Sequence, residues 1–122
     1  MAYYFNGSTS TDGTLLSSID KSIDIIEEKD KKKYIIEANE TQAFRFVSKR
    51  DFVVFIGAKT TATYNIYGIE YNDNNAVDTQ VFQAVNGQTE PINFTGDNSL
   101  SFKACCGFIV KNNSSEKISV VL

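Results

Sequence analysis

Between Thr41 and Tyr71 the chain sets aromatic and β-branched residues at the two-residue spacing of a strand. Three runs carry the pattern: Ala43-Phe44-Arg45-Phe46-Val47, Phe52-Val53-Val54-Phe55-Ile56-Gly57, and Ala62-Thr63-Tyr64-Asn65-Ile66-Tyr67-Gly68-Ile69. Alternation of this kind calls for a sheet, because a helix would scatter the same side chains around its circumference. Phe52–Ile56 is apolar at every position, which predicts a central strand or one covered on both faces.

From Lys33 onward the period stays at two. Strands are expected at 33–37, 42–47, 52–57, 62–71, 79–85, 91–94, 99–104, 106–112 and 117–122, separated by turn-rich links such as Ser48-Lys49-Arg50-Asp51 and Asn72-Asp73-Asn74-Asn75. The class that follows is all-β: an antiparallel β-sandwich, jelly-roll-like, of about eight short strands. Residues 1–14 read as a polar N-terminal arm and 15–122 as a single sandwich domain, in keeping with a length of 122 residues. Leu15, Leu16, Ile19, Ile23 and Ile26 recur at helical spacing, with Asp20, Asp24, Glu27 and Glu28 between them. They predict a short N-terminal helix with an apolar stripe; Ile23 and Ile25 also alternate, so a strand at 22–26 competes.

Composition removes much chemistry. There is no histidine, so Ser-His-Asp and Cys-His nucleophile systems and histidine-bound zinc are excluded. The two cysteines, Cys105 and Cys106, are adjacent, and neighbouring strand residues point to opposite faces. They read as two free thiols, one on each face, which fits a reducing compartment. No glycine-rich phosphate loop follows a strand and opens a helix. The expectation is a protein that is not an enzyme and takes no cofactor.

Charge points the same way. The formal net charge is -3, and the one dense basic run, Lys31-Lys32-Lys33, sits among Glu27, Glu28, Asp30 and Glu37. A nucleic-acid binder carries a basic stripe, so none is expected as partner. The longest apolar run, 52–58, is too short to span a bilayer, and no signal peptide is visible at 1–6. Asp73, Asn75 and Asp78 gather oxygen donors in one short loop and are the calcium candidates, although the pattern departs from the EF-hand loop.

Tyrosines invite a binding role. Tyr67, Ile69 and Tyr71 share one side of their strand, opposite Tyr64 and Ile66. One set fills the core and the other must meet a second layer, a ligand or a partner chain. Tyr67 and Tyr71 are the candidate glycan platform, the basis of an alternative reading as a carbohydrate-binding module.

The texture of Gln42–Tyr71 and Ser99–Leu122 resembles that of small β-sandwich proteins of tailed-bacteriophage virions, the capsid-decoration and auxiliary proteins. That resemblance implies a structural protein, often trimeric, that binds a capsid or tail lattice without a cofactor. It implies a virion location, with assembly in the cytoplasm of the host cell. The leading expectation is therefore a homo-oligomer that docks on a larger assembly. Its expected interface residues are Tyr67, Ile69 and Tyr71 on the strand face, with Leu15, Leu16, Ile19, Ile23 and Ile26 on the stripe.

Overall fold

A computed structural model describes residues 3–5, 9–10, 18–25, 32–69, 81–82 and 93–122. Every regular element among them is a strand: β1 (Tyr3–Phe5), β2 (Thr9–Ser10), β3 (Lys21–Ile25), β4 (Lys33–Ile36), β5 (Thr41–Gly57), β6 (Thr63–Ile69), β7 (Val81–Phe82), β8 (Phe94–Thr95), β9 (Asn98–Asn112) and β10 (Ile118–Val121). The all-β class stands. The strands belong to one sheet, largely antiparallel and curled into half a barrel, where two stacked sheets were expected.

Two long strands form the spine. β5 and β9 pair antiparallel from Thr41 opposite Lys111 to Ile56 opposite Asn98. The far edge of β5 takes β3 in parallel, Lys21 to Ile25 along Gln42 to Phe46, and then β10 at Phe55–Gly57. The far edge of β9 takes β6 at Gly107–Asn112 and β1, in parallel, at Leu100–Phe102. Beyond these, β4 pairs with β10, β7 and β8 pair with β6, and β2 pairs with β7. Tyr3–Phe5 and Thr9–Ser10, within the expected arm, are thus joined to the sheet.

The sequence presents Ser48–Asp51 as a turn between two short strands; it is instead a bulge inside one strand of 17 residues. The register slips between Arg45 and Arg50 and again before Phe52. Across from it, Ala104 takes a positive φ of 53° in the 15-residue β9, a conformation that a residue with a Cβ adopts at some cost. Asp51 Oδ1 accepts the Ala104 amide at 2.9 Å, and the Arg50 guanidinium lies 4.5 Å from the centre of the Phe46 ring. Both spine strands therefore bend at the same level, which is how bulges turn a flat sheet into a curled one.

The predicted helix does not form where the chain is described. Lys21–Ile25 is strand β3, with Ile25 buried and Ile23 packed against the core. The competing period of two wins because β-branched isoleucines fit a pleated surface and because β5 offers a free edge. Asp20 fixes the entry: its amide donates to the Thr41 carbonyl and its Oδ2 accepts from the Thr41 amide, both at 2.8 Å. Leu15, Leu16 and Ile26 lie outside the described residues.

The concave face holds the main core, with Phe44, Val54, Tyr64, Leu100, Phe108, Val110 and Val120 fully enclosed. Two in-register cross-strand pairs stack at its centre, Phe44 on Phe108 and Phe52 on Phe102, each with ring centres 4.7 Å apart. Such pairs add about 0.5–1.5 kcal/mol each beyond their burial. Phe46 joins Phe52 at 4.6 Å across the bulge, so one aromatic cluster bridges both halves of the bent spine.

Side-chain amides close the curl. Gln42 Nε2 donates to the Ile35 carbonyl at 3.0 Å, and Asn112 Nδ2 donates to the carbonyls of Glu37 and Glu116 at 3.0 and 2.8 Å. Gln42 and Asn112 both point inward from the spine, and they tie β4 and the segment before β10 across the mouth of the core. Tyr34 follows, packing its edge on Phe44 at 5.2 Å.

Candidate functional site

The convex face divides into a covered half and an open half. Over the first half of β5, Ala43, Tyr67, Ile69, Cys106 and Ile109 form a second buried cluster, with Ile19 packed against it. Tyr67 is 5% exposed and Ile69 0%. Both were expected at an interface, and Tyr67 also in a glycan platform; here the chain itself covers them, and a ring this enclosed offers no face for a sugar to stack on. Ile19, expected on a separate stripe, meets the same cluster, while Ile23 enters the main core. Three expected interface residues are thus brought together inside the chain. Tyr71, Leu15, Leu16, Ile26 and the calcium candidates Asp73, Asn75 and Asp78 lie outside the described residues. Among the described residues no group of three acidic, cysteine or histidine side chains could hold a metal ion.

The adjacent cysteines fall in different clusters, Cys105 in the main core and Cys106 in the convex one, both buried and neither in a disulfide.

The open half lies over the second half of the spine. Val54 and Ile56 point into the core, so Val53 and Phe55 point outward, 43% and 52% exposed. Phe52–Ile56 is central, but it is covered on one side only. The registers extend the outer face across four strands. Ser101 lies opposite Val53, and Ser99 opposite Phe55. On the other flank Val121 lies opposite Phe55 and Ser119 opposite Gly57; Lys33 and Ile35 follow on β4. Ile35 is 41% exposed. The result is an apolar diagonal, Val53–Phe55–Val121–Ile35, bordered by serine hydroxyls. Val47, 74% exposed, stands apart at the bulge.

Beside Phe55 the face sinks into an open depression of about 470 Å³, bounded by Phe55, Gly57, Asp97, Ser99, Ser119 and Val121. Gly57 makes the hollow: a Cβ there would sit 2.5 Å from Ser119 Oγ, which instead donates to the Gly57 carbonyl at 3.3 Å. The far wall is the tight turn between β8 and β9, where Gly96 takes φ 68°. Asp97 Oδ1 accepts the Ala58 amide at 2.9 Å and so fixes the carboxylate at the margin of the depression.

Charges at the ends of these strands are mostly matched inside the chain: Lys59 with Glu116 at 3.2 Å and Lys117 with Glu37 at 3.7 Å. Lys33 and Asp97 are exposed, and neither has an ion-pair partner among the described residues. They stand on opposite margins of the open face.

Sequence reasoning missed Phe55 by assigning the whole run to the core. The signal lay in its neighbours. Ser99, Ser101 and Lys103 alternate with Leu100 and Phe102, and Ser119 sits between Ile118 and Val120. Strands flanking β5 that are polar on one face require that face to be wet. No helix among the described residues is long and apolar enough to cross a membrane. No protein-family model, curated protein or solved structure matches this chain.

Proposed function

We propose that this chain is a non-enzymatic structural protein that self-associates and docks on a larger protein assembly through the outer face of β9, β5, β10 and β4. One observation supports the reading: Val53, Phe55 and Ile35 stand 41–52% exposed on one continuous face, whereas most other large apolar side chains among the described residues, Val47 excepted, pack into two clusters on separate faces. Contiguous exposed apolar surface with a polar rim is the usual mark of an interaction site. Packing through this face stacks sheet on sheet, so the antiparallel sandwich expected from the sequence is proposed as an arrangement between chains. The virion setting, as a capsid-decoration or auxiliary protein, rests on the resemblance of Gln42–Tyr71 and Ser99–Leu122 alone.

The test is sedimentation of the wild type beside Phe55→Ser and Val53→Ser. Concentration-dependent assembly that either substitution weakens, with the melting temperature unchanged, is the expected result. A wild-type chain that stays monomeric at high micromolar concentration, and is recruited by no larger particle, removes the proposal.

A second reading, carbohydrate binding, gains one observation as it loses Tyr67. Phe55 borders a depression that also offers the Asp97 carboxylate and the Ser99 and Ser119 hydroxyls, a ring-plus-polar set suited to a sugar. Titration against a glycan panel with wild type and Phe55→Ala separates the two. Sugar binding that is lost in the variant while the oligomer is unchanged favours the module.

A further inference from the structure

We infer that the outer face binds a second copy of this chain about a two-fold axis running parallel to β5, midway between β5 and β10. The inference rests on the self-association proposed above and adds the partner and its register. A projecting phenyl ring, 52% exposed, stands directly beside a hollow of about 470 Å³ that it helps to line. A face carrying both a knob and a hole is complementary to itself, which is the condition of a two-fold interface. An aromatic side chain seated in a pocket is also the usual energetic anchor of such contacts.

The strand order fixes which two-fold. Across the face run β9, β5, β10 and β4, about 4.8 Å apart. An axis along the strands between the middle two exchanges β5 with β10 and β9 with β4. Phe55 of each copy then lies over Val121 of the other, at the lip of its depression. Ser119 of each copy comes over the other's Gly57, which has no side chain of its own but is flanked by the Ser119 hydroxyl of the same chain. Lys33, on the β4 margin, comes toward the second copy's Asp97, on the β9 margin. Lys33 is level with Phe55 and Asp97 with Gly57, an offset of about 7 Å along the strand that a lysine stem can span. Both lack an ion-pair partner among the described residues, as does Lys103 farther along β9, and the symmetry supplies the Lys33–Asp97 contact twice. An axis across the strands would instead leave each margin over itself, lysine against lysine and carboxylate against carboxylate, which opposes association.

Four strands, of which β4 and β10 have four residues each, give a patch of roughly 300 Å² per copy. That is below the standard interface size, so a micromolar dimer is expected.

Sedimentation equilibrium at low salt on the full chain tests the register through charge reversal. Lys33→Glu and Asp97→Lys are each expected to raise Kd about tenfold, and the double variant to return to within about twofold of wild type. Because Asp97 also holds the Ala58 amide, Asp97→Asn serves as the second variant. It keeps an acceptor there and is expected to weaken the dimer about threefold with an unchanged melting temperature. If the wild type dimerises but the double reversal is as weak as the two singles combined, or the singles match wild type, this register is wrong while self-association stands. If the wild type remains monomeric, both fall together.

Discussion

The side-chain amide of Asn98 donates to the hydroxyl of Tyr64 at 2.7 Å, and that hydroxyl donates in turn to the Gly96 carbonyl, also at 2.7 Å. Tyr64 is fully buried, so a phenol anchored in the core sets the shape of an exposed turn. Asp97, at the margin of the open depression, is held between those two contacts.

Tyr64→Phe is therefore expected to cost about 1–2 kcal/mol, measured by urea denaturation, since a buried hydrogen-bonded hydroxyl is lost and Asn98 is left short of a partner. Self-association should weaken as well, because the wall carrying Asp97 loosens. Unchanged stability would show that the turn holds itself.

Asn112→Ala removes a buried amide whose Nδ2 serves the Glu37 and Glu116 carbonyls and whose Oδ1 accepts from the Ser114 amide and hydroxyl at 3.0 and 2.8 Å. With several backbone groups stranded at once, the expected loss is about 3 kcal/mol. Hydrogen exchange should show β4 and β10 opening ahead of the spine. A loss of stability spread evenly over all strands would count against the side-chain closure described above.

Gly107→Ala tests the closest approach in the spine. A Cβ there would collide with the Phe44 carbonyl oxygen and crowd the Arg45 Cα at 3.1 Å, both backbone atoms of the paired strand. Backbone cannot swing aside as a side-chain tip does. The expected cost is about 3 kcal/mol or more, with poor recovery of soluble protein. A variant as stable as wild type would mean that the ladder shifts there with ease.

Thiol titration checks the two-faced burial of the cysteines. Cys105 and Cys106 are 0% and 5% exposed, so a bulky thiol reagent should label neither in the folded chain and both in denaturant. Rapid labelling of Cys106 in native buffer would show that the convex cluster opens readily.

The strand class was legible because alternation is a local property, written in Phe44, Phe46, Val54 and Ile56 themselves. The core aromatics followed from it. What the local pattern does not carry is which layer covers each face. Tyr67 looks like surface until Ile19, far away in sequence, is folded against its cluster; Phe55 looks like core until the serines on both neighbouring strands are placed beside it. The bulge was hidden for a different reason. Lys49, Arg50 and Asp51 have turn composition, and only pairing to a continuous β9 turns that stretch into a kink. Ile23 shows the same limit for helices, since its period was ambiguous and the edge of β5 decided it.

The long spine also dictates an order of events. Ile56 and Asn98, the members of the β5–β9 ladder nearest in sequence, are separated by a segment that contains all of β6 and β8. Their meeting closes a loop of about 40 residues before any ladder bond is gained, so folding should take milliseconds to seconds rather than microseconds. β3, β6 and β10 dock on edges that exist only once this has happened. During synthesis no strand can find its place on the spine until Asn112 has emerged, and until then the alternating segments of β5 are open to pairing with the wrong neighbour.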